Sequence, residues 1–316
     1  MNKLAHIFFI IFFATTVSAG NSKLDLIPNS KTIPLIAGRQ YFGKLQGAFS
    51  QGGVAFGTIL DTPRVGFNLK SITLNGKKVK FFKINEPIDC MGNLCLNQYI
   101  FILGFNRNEQ SKSILEIQFT DRKKIKKIIE IKKREYEVQN IKGLPKKKVN
   151  PPPEVWERIK MENNSVGRAR KTYSKTSLYS SGFISPAKGL VTGVYGTKRI
   201  LNGQPKSPHY GIDIAAPAGT LIYAPSDGII TLINEDMYYT GKTVVMDHGH
   251  GLSSTFLHMQ KVLVKDKQYV KQGDVIGKVG STGRSTGSHL DWRMNVFKTR
   301  VDPAFFVPSL QTSPKK

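Results

Sequence analysis

The chain has 316 residues, which is enough for two domains of ordinary size that each bury a hydrophobic core. An apolar fraction of 40% and an aromatic fraction of 10% are typical of globular domains and exclude a disordered chain. The formal net charge of +25 would attract any anionic polymer, so nucleic acid, an acidic membrane surface and an anionic cell wall are the partners to weigh.

The N-terminus has the pattern of a secretory signal peptide. Met1-Asn2-Lys3 precedes an apolar run at residues 6–17, and Val17-Ser18-Ala19 is a small-x-small cleavage pattern. We expect residues 1–19 to be removed; if the run stays uncleaved, it would allow membrane association. Residue 20 is Gly and not Cys, so nothing indicates a lipoprotein. Because an exported basic protein meets anionic envelope polymers and not a genome, we predict the bacterial periplasm or cell envelope and no nucleic-acid partner.

Two cysteines occur in the chain, Cys90 and Cys95, in the segment CMGNLC. In an oxidising export compartment this spacing predicts a small disulfide loop. A metal role for the pair alone is not favoured, because two thiolates cannot fill a zinc coordination shell and no histidine lies nearby in the sequence.

Residues 20–140 are predicted to form a β-rich, β-sandwich-like N-terminal domain. Between two β-rich runs, Asn75-Gly76 is the residue pair that a type I′ hairpin turn prefers, because both central positions need positive φ. Several short strands separated by turn signals are typical of a sandwich. We find no catalytic constellation in this part of the sequence. The predicted strands are residues 65–69, 71–74, 77–82, 99–105 and 114–119.

A lysine-rich segment, Arg122–Arg134, is interrupted by isoleucines at positions 125, 128, 129 and 131. It is either an edge strand, whose lysines discourage aggregation, or a basic helix, and we favour the strand. As a surface it would bind an anionic wall polymer, or it is simply a solvated charged face.

Residues 141–181 are predicted to link the N-terminal domain to a second one. Gly143–Pro153 is rich in lysine and proline, and its prolines stiffen it toward polyproline II. Glu154 to Arg170 is predicted to be one amphipathic helix. The second domain spans residues 182–308, and a polar tail follows at residues 309–316.

Glycines alternate with short runs of apolar, β-branched residues along the second domain. Examples are residues 189–193, 228–233, 243–246 and 275–280. Short strands joined by tight turns predict an almost all-β domain. The fold class predicted for the whole chain is therefore mostly β.

Two short segments of the second domain are predicted to form one metal site together. They are Pro208–Asp213 and Thr286–Trp292. Prolines, glycines and β-branched residues around the first segment favour a loop running into a strand over a helix. In a strand, the period of two places His289 and Asp291 on one face and turns Leu290 into the core. A His-x-x-x-Asp alone is also explained by a buried histidine hydrogen-bonded to its aspartate.

The surroundings of these segments resemble the lysostaphin or LytM-type zinc endopeptidases. The stretches that carry the resemblance, in order and spacing, are residues 209–220, 254–259, 273–277 and 280–290. The resemblance covers about the last 130 residues of the chain. One residue departs from it, because the family pattern ends in His-x-His and this chain has Asp291 at the second histidine.

The resemblance implies a C-terminal LytM-type domain of two packed antiparallel sheets with the site in a groove. It also implies one zinc ion per chain, held by His209 and Asp213 with Asp291 at the third position. His258 and His289 would be the catalytic pair, one acting as general base and the other steadying the oxyanion, both with pKa values near neutrality.

The implied function is an exported zinc metalloendopeptidase that hydrolyses peptide cross-links of peptidoglycan, with peptidoglycan and anionic envelope polymers as partners. Asp291 makes the site more negative, so its water would be less acidic, and the site would either work more slowly or prefer a harder metal such as Mn²⁺. A degenerate protein that binds the wall or activates another hydrolase is the alternative. The N-terminal domain is also open to interpretation as a pro-region that covers the groove.

His248 and His250 lie in a glycine-rich turn that the resembling family uses as a hairpin. A ligand role is not favoured for either, although His250 is the next candidate if Asp291 is not a ligand.

Overall fold

A computed structural model describes residues 26–310 except for a few short gaps. The predicted signal peptide and most of the polar tail lie outside the described residues, as does the start of the first predicted strand. No helix in the described part of the chain is long and apolar enough to cross a membrane. The gaps are residues 29, 38–40, 62–67, 85–89, 92–93 and 96.

The N-terminal part is built from antiparallel strands. The strands are β1 (Lys31–Ala37), β2 (Tyr41–Gly47), β3 (Val54–Asp61), β4 (Leu69–Leu74), β5 (Lys77–Val79), β6 (Phe81–Ile84), β7 (Cys90–Met91), β8 (Leu94–Cys95), β9 (Asn97–Gly104), β10 (Lys112–Phe119) and β11 (Lys124–Glu130). They form a five-stranded sheet in the order β1-β2-β3-β9-β6 and a four-stranded sheet in the order β11-β10-β4-β5. One apolar cluster takes residues from both sheets, for example Leu45 and Phe101 from the first and Ile117 from the second.

Local sequence signals in this part are confirmed. Asn75 and Gly76 join β4 to β5 with φ angles of 49° and 73°, both positive as a type I′ turn requires. The lysine-rich segment is an edge strand, β11, which buries Ile125 and Ile129, exposes Lys124 and Lys126 and half-buries Lys127. The sandwich-like packing of the complete N-terminal part stays a prediction.

The two cysteines lie on the short hairpin of β7 and β8, in which Cys90 is the register partner of Cys95. Their side chains lie outside the described part of the structure, so the disulfide stays a prediction.

The segment that follows the N-terminal sheets is packed against the C-terminal part. We call residues 138–170 the strap. It contains β12 (Val138–Ile141), α1 (Lys146–Val149), a 3-10 turn (Pro153–Val155) and α2 (Trp156–Ala169). The predicted helix is confirmed, whereas the picture of a plain proline-stiffened linker is incomplete. β12 pairs in parallel with the later strand at Lys198–Leu201, and Leu144 and Val149 are buried against Leu201.

The C-terminal part is almost all β, as predicted. Its strands are β13 (Leu190–Gly193), β14 (Lys198–Leu201), β15 (Gln204–Lys206), β16 (Ile212–Ala215), β17 (Leu221–Tyr223), β18 (Gly228–Met237), β19 (Gly241–Asp247), β20 (Leu252–Met259), β21 (Lys261–Val262), β22 (Tyr269–Val270), β23 (Val275–Lys278), β24 (His289–Val296) and β25 (Thr299–Val301). The main sheet runs β13-β16-β24-β20-β19-β18-β22, with β25 paired to β24. Two three-stranded sheets, β17-β23-β21 and β12-β14-β15, accompany it.

The N-terminal and C-terminal parts share a hydrophobic core. Val54, Phe56 and Ile102 of the N-terminal strands belong to the same buried cluster as Trp292 and Val296 of β24. β24 is therefore supported on one side by its own sheet and on another by the N-terminal part. Because β24 carries Asp291, this packing fixes the backbone beneath the predicted site.

Candidate metal centre

Two neighbouring strands of the main sheet bring the predicted ligands together. β16 and β24 are antiparallel, and Asp213 is the register partner of Asp291. Leu290 is fully buried in the core, as the period of two predicts, so the residues beside it face the opposite side. The two carboxylates are therefore cross-strand neighbours.

His209 reaches the same point from the loop before β16, and Gly211 makes this approach feasible. A Cβ atom at position 211 would lie 2.5 Å from Asp291 Oδ1 and 2.6 Å from the Trp292 carbonyl oxygen. Both distances are far below van der Waals contact, so only glycine fits between His209 and Asp213 without moving β24.

The three predicted ligands form one buried cluster. His209 Nε2 lies 3.1 Å from Asp213 Oδ1, and His209 Nδ1 lies 4.0 Å from Asp291 Oδ2. One donor atom from each residue can be chosen so that all lie within 4.8 Å of one another. All three side chains are buried.

Unpaired polar atoms in this cluster fit a metal ion. Both ring nitrogens of His209 and Oδ1 of Asp213 are buried without a hydrogen-bond partner in the described structure. The 3.1 Å approach of the two residues therefore lacks hydrogen-bond geometry, which argues against a simple buried His–Asp pair. Leaving buried polar atoms unpaired is costly, and a divalent cation bound to one ring nitrogen of His209 and to Asp213 Oδ1 would satisfy two of the three. One imidazole and two carboxylates are also zinc ligands by type.

Two arginines that the sequence analysis did not identify hold the two carboxylates. Arg293 donates to Asp291 from Nε to Oδ1 at 2.9 Å and from Nη2 to Oδ2 at 2.6 Å. Arg199 of β14 donates from Nη2 to Asp213 Oδ2 at 2.6 Å. Arg293 could have been found from the period of two, because residues 291 and 293 share a strand face. No local signal points to Arg199, which a separate strand delivers.

These contacts keep both carboxylates ionised. Burial alone would raise the pKa of Asp291, but the Arg293 guanidinium and then His209 hold that pKa far below its usual range. At Asp213 burial opposes ionisation in the same way, and His209 followed by Arg199 lowers the pKa despite the nearby charge of Asp291. Both groups are therefore available as anionic ligands at neutral pH.

The predicted catalytic pair lies beside this cluster. The rings of His258 and His289 have centroids 4.8 Å apart. His258 Nδ1 is 2.7 Å from the Thr282 carbonyl oxygen, and His289 Nδ1 is 2.9 Å from that of Gly287. Because a carbonyl oxygen only accepts, each Nδ1 carries a proton, and in the neutral form of either ring the lone pair lies on Nε2. His289 Nε2 lies 3.8 Å from Asp213 Oδ1, which directs it toward the cluster.

One expectation for His258 is wrong. Burial lowers the pKa of His258 to about 4, opposed by the charge of Asp291, so it does not lie near neutrality. The ring is therefore neutral at physiological pH and enters a reaction as a proton acceptor. Its backbone has a φ of 62°, a conformation that costs a non-glycine residue energy and is concentrated at functional sites.

The two histidines of the glycine-rich turn have structural roles. His248 bonds through Nδ1 to the Asp227 carbonyl oxygen and through Nε2 to Ser254 Oγ. His250 bonds through Nδ1 to Tyr179 Oη and through Nε2 to the Lys175 carbonyl oxygen. With both ring nitrogens engaged, neither residue offers a metal ligand.

The strap forms one wall of the space around the site. A cavity of about 270 Å³ is lined by Asp213, His258 and His289 together with Ile141 and Leu144 of the strap. A second cavity of about 430 Å³, on which His258 also opens, is lined by Val149 and Pro151 of the strap. The strap is further fastened by Arg284, whose Nη1 donates to the Lys148 carbonyl oxygen at 3.3 Å. A groove is thus present at the site, and the strap narrows it from one side.

Comparison with known proteins identifies the domain. Residues 207–303 match peptidase family M23. The chain is 37% identical over 119 residues to the peptidoglycan DD-endopeptidase ShyA of Vibrio cholerae and 35% identical over 142 residues to ShyB of the same organism. These matches cover 35% and 44% of this chain but only 26% and 30% of the two relatives.

A solved structure extends the likeness beyond the matched domain. A Pseudomonas aeruginosa protein assigned to peptidase M23 aligns with a TM-score of 0.58 at 27% identity, covering 83% of this chain and 96% of that protein. The alignment thus extends far beyond residues 207–303. Together with the family match, it confirms the resemblance seen in the sequence: the chain contains a LytM-type peptidase domain of family M23.

Proposed function

We propose that this protein is a zinc metalloendopeptidase that hydrolyses peptide cross-links of peptidoglycan in the cell envelope. The observation that carries the proposal is the buried cluster of His209, Asp213 and Asp291, with His258 and His289 beside it at one cavity. The names of the relatives support the substrate, because ShyA and ShyB are peptidoglycan DD-endopeptidases. The net charge of +25 supports action on an anionic wall after export.

In this proposal His209, Asp213 and Asp291 hold the zinc ion. A zinc ion in such a site lowers the pKa of water and polarises the amide carbonyl that is attacked. Arg293 and Arg199 fix the orientation of the two carboxylates through the oxygens they bind.

The histidine pair moves the protons. Nε2 of either ring, unprotonated because Nδ1 is anchored to a carbonyl oxygen, accepts the proton of the attacking water. The ring that has gained the proton then carries an Nε2–H that donates to the oxyanion or to the leaving amine nitrogen. Asp213, 3.8 Å from His289 Nε2, stabilises a positive charge on that ring.

The presence of His209, Asp213, His258 and His289 together favours an enzyme over a degenerate wall-binding or activator protein. The residue at the variant position, Asp291, is itself able to ligate and is held by Arg293 in two hydrogen bonds. If the residue at position 291 had changed after loss of function, nothing would favour an arginine at position 293 that orients it.

Digestion of purified cross-linked muropeptides by the full chain tests the proposal. We expect conversion of dimers to monomers without new reducing sugar ends, and loss of this activity in 1,10-phenanthroline or in Asp213→Ala. Asp266→Ala is the matched control, because Asp266 is an exposed aspartate of the same domain. Uncut dimers with the zinc-loaded chain, or new reducing ends with intact cross-links, would refute the assignment.

A further inference from the structure

Another cavity, of about 410 Å³, lies between α2 of the strap and Tyr239, and none of the metal ligands lines it. Tyr239 comes from the turn between β18 and β19. The lining residues on α2 follow the spacing i, i+3, i+4 and i+7, so they share one face of the helix. These residues are Trp156, Ile159, Lys160 and Asn163, and Asn164 follows them.

Trp156 gives this cavity an exposed aromatic surface. The side chain is 58% exposed, whereas Trp292 is fully buried in the core. The indole Nε1 donates to the Pro151 carbonyl oxygen at 3.1 Å, which holds the ring in one orientation. Because this N–H is the only donor of the side chain, the indole offers a ligand its apolar ring and not a hydrogen bond.

The two walls of the cavity are held in place before any ligand binds. On α2, Glu162 accepts from Arg158 Nε at 2.7 Å and from the backbone N–H of Tyr238 at 2.9 Å, so the helix is tied to the end of β18. Tyr239 has the Arg284 guanidinium 4.4 Å from its ring centroid. A ligand therefore does not have to order the surface it binds, which favours affinity.

The polar groups of the cavity are amides, and its net charge is small. Asn163 and Asn164 are exposed, and neither side chain makes a hydrogen bond within the described part of the chain. Each amide offers both a donor group and an acceptor oxygen. Lys160 is the one charged lining residue, and its Nζ lies 3.5 Å from Glu157 Oε1. The cavity thus differs from the strongly basic chain around it.

These properties select an uncharged ligand with both apolar and hydrogen-bonding surface. A purely apolar ligand would cover the two amides and leave them without partners. An anion would meet a single lysine that already has a counter-charge. A sugar ring fits, because C–H groups on its face pack on an aromatic ring while hydroxyl and acetamido groups around its rim bond to amides.

The cavity is continuous with the space at the metal centre. Pro151, Asn163 and Tyr239 line both this cavity and the cavity of about 430 Å³ on which His258 opens. One surface therefore leads from His258 to Trp156. In cross-linked peptidoglycan the peptide that carries the scissile amide is itself attached to a glycan chain, so a substrate bound at His258 has a sugar to place farther along this surface.

We propose that the cavity bounded by Trp156, Asn163 and Tyr239 binds an N-acetylated sugar of the glycan chain while the attached peptide lies at the metal centre. The inference rests on the proposed function and adds a second recognition element to it. Because this contact is remote from the reacting bond, it lowers KM for cross-links that carry sugar and leaves kcat nearly unchanged.

Fluorescence of the full chain tests sugar binding without hydrolysis. The chain has two tryptophans, and only Trp156 is exposed, so a ligand on this surface shifts the emission of Trp156 to the blue. The probe is tetra-N-acetylchitotetraose, which contains no peptide. Cellotetraose has the same linkage without acetamido groups, and we expect it to bind at least about tenfold more weakly because hydrogen bonds to the amides are lost.

Variants locate the binding surface, with saturation-transfer NMR as the readout because it does not depend on tryptophan. Trp156→Ala should weaken binding of tetra-N-acetylchitotetraose by about tenfold or more, and Asn163→Ala should reduce the preference over cellotetraose. Met161→Ala is the matched control, because Met161 is 62% exposed on α2 and does not line the cavity. All three positions are exposed, so the variants should remain folded.

Kinetics connect the surface to the substrate. Muropeptide dimers that carry their disaccharides should have a KM at least about fivefold below that of the same dimers after enzymatic removal of the sugars, at similar kcat. In Trp156→Ala this difference should disappear, and in Met161→Ala it should persist.

Four results would overturn the inference: no saturable binding of tetra-N-acetylchitotetraose, equal affinity for cellotetraose, undiminished binding in Trp156→Ala, or an emission shift caused by the sugar-free peptide dimer alone, which would assign the surface to peptide. The proposed function fails separately, if the zinc-loaded chain leaves cross-linked muropeptides intact while tetra-N-acetylchitotetraose still binds at Trp156.

Discussion

Arg293 holds both carboxylate oxygens of Asp291, with hydrogen bonds of 2.9 and 2.6 Å. The pair is net neutral, so together the two residues have the charge of the neutral histidine that the LytM-type pattern has at this position. A lone carboxylate would make the site more negative and its water less acidic, as the sequence alone suggests. With Arg293 in place, the charge of the metal centre is restored by a second residue.

Replacement of Arg293 should therefore shift the pH dependence of activity. In Arg293→Gln the site gains one net negative charge, so the pKa of the nucleophilic water rises and the acid limb of kcat/KM moves up by about one to two pH units. Arg293→Lys keeps the charge but not the fork geometry, so the limb should stay near its original pH while zinc affinity falls by about tenfold or more. Identical acid limbs for the glutamine variant and the unaltered chain would show that the arginine does not tune the water.

Restoring the family's histidine should succeed only together with a change at Arg293. Asp291→His alone leaves the Arg293 guanidinium without its carboxylate, and breaking such a pair costs about 3 kcal/mol in the free energy of unfolding. Asp291→His/Arg293→Gln removes the unpaired charge, so stability and zinc binding should recover. Urea unfolding of the unaltered chain, the Asp291→His and Arg293→Gln variants and the double variant measures the coupling energy between the two positions. Additive effects of the two single variants on the free energy of unfolding would contradict the prediction.

Gly211 should be required for the metal centre. The alanine methyl in Gly211→Ala would lie 2.5 Å from Asp291 Oδ1, so the carboxylate must move and zinc affinity should fall by about tenfold or more. Gly167→Ala is the matched control, because a methyl there meets nothing within 4 Å and the position is helical. Zinc titration with a chromophoric chelator compares the two, and equal affinities would show that the cluster tolerates the displacement.

The strap should restrict access of large substrates. Leu144 is buried against Leu201 and lines the cavity with His258 and His289, so Leu144→Asp should detach this part of the strap. We expect faster cleavage of cross-linked muropeptides and little change for a small dipeptide. Lys142→Asp, at an exposed position of the same segment, is the control. Slower cleavage of muropeptides in Leu144→Asp would show that the strap supports substrate binding instead.

The sequence predicted those features that depend on local periodicity. Residues 289 and 291 share a strand face, and the Asn75-Gly76 turn has the positive φ angles that its residues favour. These properties follow from side-chain alternation and backbone sterics, which a few neighbouring residues determine.

Other features depend on contacts between distant segments and could not be predicted. Arg199 reaches Asp213 from β14, and β12 joins β14 in parallel although most of the strap lies between them in sequence. The placement of Arg284 and Arg300 over tyrosine rings is equally invisible in the sequence, because a basic composition does not say what each cation contacts. Long-range strand pairing and ion pairing carry no local periodic signal.

Zinc analysis of the purified full chain tests the central claim most directly. We predict one zinc ion per chain, retained in Asp266→Ala and lost in Asp291→Ala, because the alanine removes one of three ligands. Circular dichroism should show that the Asp291 variant remains folded at the temperature of the measurement. A folded Asp291→Ala chain that retains one tightly bound zinc ion would contradict the account, because Asp291 would then lie outside the metal centre.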